Sequence, residues 1–259
     1  MTKISQSVVE GVEARLRKIQ NNPQYFSQRS ILIQDELIHD ADLHSFWIEH
    51  PELRGKLLEV NKVSDEEGIK RTAKQGIKNI KAGWEYLTSN RFKESQVGVL
   101  GFLTPETIKE VGKLVDPVKN SKGFRKDLEY VGSPFSEYTP RSPILVPGMI
   151  EKMCNYVRRE DHLHPIELAA EAHLRIAGIQ AFNEGNKRTA RLIERRILEG
   201  YGLPTSFIPY GERAIYLDLT TRALKGLKAG EVYEQTPFFD YIGGKVATAL
   251  DKIIDDLKV

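Results

Sequence analysis

The run IQAFNEGNKRTAR, Ile179 to Arg191, gathers an acid, a glycine, an asparagine and three cations around what should be the start of a helix. Gly185 permits a positive φ and Asn186 is able to cap a following helix, so the run reads as a helix, a tight loop and a second helix. Lys187, Arg188 and Arg191 then fall in the first turns of that second helix. There the positive end of the macrodipole costs each cation about 0.3–1 kcal/mol. A bound anion reverses the sign, because free backbone N–H groups, the dipole and the arginine forks all favour one phosphate-like ligand. Glu184, just before the loop, is placed to hold a divalent cation shared with those phosphates, since Mg²⁺ takes one or two carboxylates plus phosphate oxygens. The chemistry is that of a phosphate cradle with a metal carboxylate. It is not a P-loop, because G-x-x-x-x-G-K-[ST] does not occur. The plain alternative is a loop between two surface helices whose arginines are simply solvated.

The elements that must position this run are helical. Ser7 to Gln20, Ile31 to Glu59, Asp65 to Leu87, Pro105 to Leu114, Pro147 to Arg158, Pro165 to Ile179, Lys187 to Glu199, Arg213 to Leu227 and Pro237 to Lys258 space apolar residues three and four apart. Thr104, Pro105 and Glu106 read as N-cap, N1 proline and first-turn acid, and His164, Pro165 and Glu167 repeat the order. Gly200 and Gly202, followed by Pro204, stop one helix. From Asn120 to Pro147 four prolines, two glycines and the alternating FRKDLEYV break the pattern and predict a short hairpin with an extended strap. The expected fold is therefore mostly all-α with a short β-flap. Residues 1–62 read as an N-terminal helical extension and 63–259 as the core, with the boundary at NKVSDEEG.

Composition narrows the function. In 259 residues the formal net charge is +2 with 29% charged side chains, which favours small ligands or proteins over nucleic acid as partners. Cys154 is the single cysteine; it makes no internal disulfide, fits a reducing compartment and reads as a small buried apolar residue. The N-terminal run shows no h-region for export, and the longest apolar stretch, VGVLGFL, is far short of the ~20 residues that span a bilayer. A cytoplasmic protein without membrane contact is expected; a homo-oligomer is left open.

QAFNEGNKR, with a second arginine three residues on, resembles the Fic motif H-P-F-x-[DE]-G-N-[GK]-R. HPIELAAEAHLRIAGI is similar to the helix that precedes that motif, LTPETIKEV to a helix start common in Fic proteins, and FRKDLEYVG with YTPRSPILVP to the β-hairpin flap and strap. The likeness runs from about Val63 to the C-terminus. It implies a Fic/Doc-like helical bundle that binds ATP and Mg²⁺ and transfers AMP to a hydroxyl of a target protein. Carried over, Glu184 binds the metal, Gly185, Asn186 and Lys187 line the anion hole, Arg188 contacts the outer phosphates, Arg191 orients the γ-phosphate and Phe182 anchors the loop. Leu128, Glu129, Tyr130 and Val131 in the flap hold the target segment by strand addition.

Where the family has its catalytic histidine, this chain has Gln180, and Ala181 replaces the proline that follows. A glutamine amide has no accessible basic state, so the general base is missing, at a typical cost of ~10²- to 10⁴-fold. His173 is about 10 Å away along the helix, too far to substitute. Three outcomes stay open: an impaired or autoinhibited adenylyltransferase, an inactive nucleotide-binding regulator, and, from Lys187 at the [GK] position, a Doc-like phosphotransferase. The resemblance also brings an inhibitory motif, [ST]-x-x-x-E-[GN], whose glutamate pairs with the second arginine. Glu67 with Gly68 is the nearer candidate and Glu10 with Gly11 the more distant. His39, Asp40, His44 and His50 match no ligand spacing. Trp47 and Trp84 read as core, and His162 and His164 as capping residues.

Overall fold

The structure is a computed structural model that describes residues 2–21, 28–58, 66–89, 98–126, 141–160 and 162–257. Its α-helices are α1 (Gln6–Gln20), α2 (Gln28–Glu49), α3 (Pro51–Leu58), α4 (Glu66–Thr88), α5 (Pro105–Val115), α6 (Val146–Arg159), α7 (Pro165–Ile179), α8 (Asn186–Gly200), α9 (Arg213–Ala229) and α10 (Thr236–Leu257). Among the described residues there is no strand. The predicted flap, Leu128 to Val131 included, lies outside them.

The centre of the molecule is α7. From Ile166 to Ile179 every residue except Arg175 is buried, and α6, α8, α9 and α10 pack around it. A helix buried on all sides belongs in the middle of a bundle, and Ala169, Ala170, Ala172, Ala177 and Gly178 let its neighbours approach closely. Its start is as predicted: His164 Nδ1 accepts the Ile166 N–H at 3.3 Å, with Pro165 at the first helical position. In α5 the Thr104 side chain accepts the Thr107 N–H at 3.1 Å. Gly202, at φ 74°, ends the turn after α8.

One core runs through the molecule from Ile4 and Val12 to Leu257. The N-terminal helix α1 lies against α10. Polar ties fix this end of the chain: Arg15 of α1 to Asp251 of α10 at 2.7 Å, Ser5 just before α1 to Asp240 of α10 at 2.5 Å, and Lys3 to Glu171 of α7 at 2.6 Å.

Periodicity reads Ile31 to Glu59 as one helix, but the chain breaks at His50. Pro51 lacks an N–H and disfavours helical backbone before it, so α2 stops at Glu49 and α3 restarts on the proline. That break leaves Glu49 at a helix end facing α8. Gly76 of α4 makes room for α2, since a Cβ there would lie 2.1 Å from the Phe46 ring. Trp84 is half-buried and packs on the core, with the Arg195 guanidinium 3.5 Å from its ring centroid. No helix among the described residues is long and apolar enough to cross a membrane.

Candidate functional site

The site is built at the loop between α7 and α8. Gln180 closes α7 in the left-handed region, at φ 52° and ψ 54°, and is the one non-glycine residue with positive φ among the described residues. Its carbonyl accepts from Arg125 Nε at 2.5 Å, while the Arg125 N–H donates to Ala181 O at 2.9 Å. Its side chain is occupied at both ends. Nε2 donates to Ala177 O at 2.7 Å, and Oε1 accepts from Asn186 Nδ2 at 3.3 Å.

Phe182 anchors the loop, fully buried in a notch at Gly112, where a Cβ would lie 2.1 Å from its ring. Asn186 is the first residue of α8, and Gly185 holds the cap position. The Asn186 amide therefore turns inward rather than capping: Oδ1 accepts the Phe182 N–H and Nδ2 donates to Phe182 O, both at 2.8 Å. From the other side Asn120, 1% exposed, donates to Gly112 O and Glu184 O and accepts the Glu184 N–H at 3.3 Å. Nothing in its local sequence marks Asn120 for this, because its partner in the loop, Glu184, lies 64 residues away.

Gly185 meets two demands at once. Its φ is 73°, and a Cβ would press to 2.6 Å from Val115 Cγ1. Its N–H points at an oxygen already: Glu184 Oε1 accepts it at 3.0 Å. Arg188 Nη2 lies 3.5 Å from the same oxygen and 3.9 Å from Asp116 Oδ2. Arg188 is only 2% exposed, and its Nε is buried without a hydrogen-bond partner. An orphaned guanidinium nitrogen beside the unpaired first-turn N–H groups of a helix is a site with donors to spare. A phosphate fits that donor set, and the half-exposed Glu184 carboxylate fits a divalent cation beside it.

Arg191 is held from α2. Its Nε donates to Ser45 Oγ at 2.8 Å, and Nη2 donates to Ser45 O at 3.0 Å and Glu49 Oε1 at 3.3 Å. On the body of the molecule Nη1 donates to Tyr216 OH at 3.2 Å. Burial by itself would raise the Glu49 pKa, but Lys187, Arg191 and Arg188 outweigh it and hold the carboxyl at about 2. Glu49 is thus a carboxylate facing the three cations of the opening run. The sequence puts Glu67 forward for the contact with Arg191, with Glu10 behind it. Both are exposed, Glu67 on the first turn of α4 and Glu10 on α1, and the carboxylate on Arg191 is Glu49. Ser45 and Glu49 have the spacing of the inhibitory motif, with His50 where that motif has glycine or asparagine.

His44 and His50 take structural parts: His44 Nδ1 accepts the Tyr210 N–H at 2.8 Å, and the His50 ring lies 4.5 Å from that of Phe46. His173 is buried between Glu194 and Tyr216.

The packed helices thus bring the N-terminus of α8, the buried Arg188, the half-buried Arg191 and the half-exposed Glu184 carboxylate together in an α-helical domain. Residues 102–198, from just before α5 into α8, match the Fic/DOC family. Over 154 residues it is 29% identical to protein adenylyltransferase Fic of Drosophila willistoni, covering 56% of this chain and 28% of the relative. Over 145 residues it is 29% identical to protein adenylyltransferase fic-1 of Caenorhabditis elegans, covering 55% and 26%. The chain thus matches about a quarter of the length of these relatives. Among solved structures, Fic-1 from C. elegans superposes with a TM-score of 0.74 at 20% identity, over 98% of this chain and 72% of that one. A Fic domain containing signaling protein from Bacteroides thetaiotaomicron gives 0.74 at 19%, over 97% of both. These likenesses establish a Fic fold.

Proposed function

We propose that the chain is a Fic-type ATP-binding protein adenylyltransferase that is held closed by Glu49 and slowed by Gln180. The observation that carries this is the capture of Arg191: α2 lays Ser45 and Glu49 on the guanidinium that the Fic resemblance assigns to the γ-phosphate. ATP would lie with its phosphates over the N-terminus of α8, against the Gly185 and Lys187 backbone and Arg188, with Mg²⁺ on Glu184. Bound there, Mg-ATP supplies an electrophilic α-phosphorus and a pyrophosphate leaving group. The residues of this chain bind and orient. Arg188, already desolvated and short of partners, gains acceptors on binding, and Arg191 follows only after it exchanges Glu49 for phosphate.

Gln180 stands where a base would take the proton of the attacking hydroxyl. Its amide is turned back on Ala177 and Asn186, which favours a nucleotide-binding state over turnover. The target segment would dock on the flap at residues 128–131. The brake is assigned to Glu49 in preference to Glu67, because Glu49 holds the arginine and Glu67 points to solvent.

Titration calorimetry with Mg-ATP tests this. The unaltered chain should bind weakly, and Glu49→Gly should bind at least ~10-fold more tightly, since a charged hydrogen bond of about 1.5–3 kcal/mol no longer competes with the γ-phosphate. Equal affinities would remove the brake, and no binding by either form would remove the nucleotide site.

A further inference from the structure

Three of the four hydrogen bonds that fix Arg191 come from α2, from Ser45 Oγ, Ser45 O and Glu49. Any release of α2 leaves the guanidinium with one partner, Tyr216 OH. Tyr216 is fully buried on α9, and its ring centroid lies 5.5 Å from the Arg191 guanidinium carbon. Its hydroxyl is also tied inward, to His173 Nε2 at 2.8 Å. The other ring nitrogen, Nδ1, meets Glu194 Oε2, and Glu194 Oε1 accepts from Ser206 Oγ. These links join α7, α8, α9 and the segment after α8. His173 and Glu194 are almost completely buried.

The direction of every proton in this chain follows from the donors at its ends. Arg191 has no acceptor, so Tyr216 OH accepts from it, and the buried phenol hydrogen, whose one acceptor among the described residues is His173 Nε2, is donated there. Nε2 must then be bare, Nδ1 must carry the imidazole proton, and Glu194 receives it. Burial pushes the Tyr216 phenol well above its ordinary range, so the proton stays on the oxygen. A network that only satisfied buried groups could run either way. This one ends on the arginine of the site and runs in one sense.

From this geometry we infer that Tyr216, fixed as an acceptor by the His173–Glu194–Ser206 relay, is the positioning residue that keeps Arg191 in place after Ser45 and Glu49 let go. The inference rests on the proposed nucleotide site and deepens it: the inhibited and the open states share one arginine anchor, on the body of the domain.

The experiment compares Mg-ATP with Mg-ADP in a Glu49→Gly background, by calorimetry. Tyr216→Phe should weaken ATP roughly tenfold and ADP less than about twofold, because Arg191 addresses the outermost phosphate alone. Added to Arg191→Ala, the tyrosine change should cost nothing further. Equal losses for ATP and ADP, or a loss that adds to Arg191→Ala, would show Tyr216 to be structural only and overturn the inference. If Glu49→Gly binds neither nucleotide, the proposed site fails and the inference with it. Independently of any variant, imidazole ¹⁵N spectra of the unaltered chain should show His173 protonated at Nδ1 and bare at Nε2. A proton on Nε2 would break the relay and refute the assignment.

Discussion

In the proposed function Gln180 and Glu49 would limit the site in different ways. Glu49 would compete for a binding group and so act on the ground state. Gln180 would stand in for a proton acceptor, and so act on the barrier and leave affinity largely alone. The two effects separate by experiment. In a Glu49→Gly background, Gln180→His should leave the ATP affinity within about threefold and raise transfer of label from α-labelled ATP, to the chain itself or to lysate proteins, by ~10²- to 10⁴-fold. The imidazole would inherit a left-handed backbone position at the end of α7, where the glutamine already sits, so no new strain is expected. Comparable transfer by the glutamine and histidine forms would mean that the chemistry needs no base at this position.

At the level of elements, α2 is the moving part of the proposed brake, and its attachment to the rest is polar as well as apolar. Besides the Arg191 contacts, Arg195 Nη1 reaches Asp42 Oδ1 at 2.8 Å, Arg213 Nε reaches Ile48 O at 2.7 Å, and His44 meets the Tyr210 N–H. The Asp42–Arg195 pair is nearly closed off from water, and Asp42 Oδ2 with Arg195 Nε and Nη2 lack hydrogen-bond partners around a cavity of about 20 Å³. A buried pair of this kind is worth little against an apolar replacement but is costly to halve. Asp42→Ala should therefore destabilise the chain by about 3–5 kcal/mol in chemical denaturation, whereas Asp42→Leu with Arg195→Met should recover most of that loss. Additive losses in the double variant would contradict a desolvated pair. The sequence shows why such contacts escape local inspection. Caps at Thr104 and His164, the turn at Gly202 and the course of most helices follow from neighbours in the chain, and all were legible there. So were the cations and Glu184 of the α7–α8 loop. Glu49 was not: its partner is 142 residues away, Pro51 hides the helix end in an otherwise continuous periodicity, and His50 stands where the motif has glycine or asparagine. Glu67 and Glu10 carry the glycine without the serine four residues earlier, and so drew attention to the wrong part of the motif.

For the molecule as a whole, the proposed closed state would be a charge arrangement laid over a common core, and acid should expose it. Glu49 has an ordinary carboxyl value near 4.5 and is held at about 2 in the fold, so the folded state favours its ionised form. A depressed folded value stabilises above the unfolded value and is lost as pH falls through the window between them, here from about 4.5 towards 2. The shift corresponds to at most roughly 3 kcal/mol. Asp42 works in the opposite sense: burial raises its value against the pull of Arg195, so its ionisation costs stability as pH rises. The acid limb of the unaltered protein therefore mixes both signs, and the difference between it and Glu49→Gln isolates the brake. At pH 7 the glutamine form should unfold at lower urea by the equivalent of about 2–3 kcal/mol, and the gap should narrow steadily from pH 5 to pH 3. A gap that stays constant over that range would mean that α2 is held by its own buried Phe46 and Ile48 packed into the core, and that the Glu49–Arg191 pair contributes geometry without net attraction.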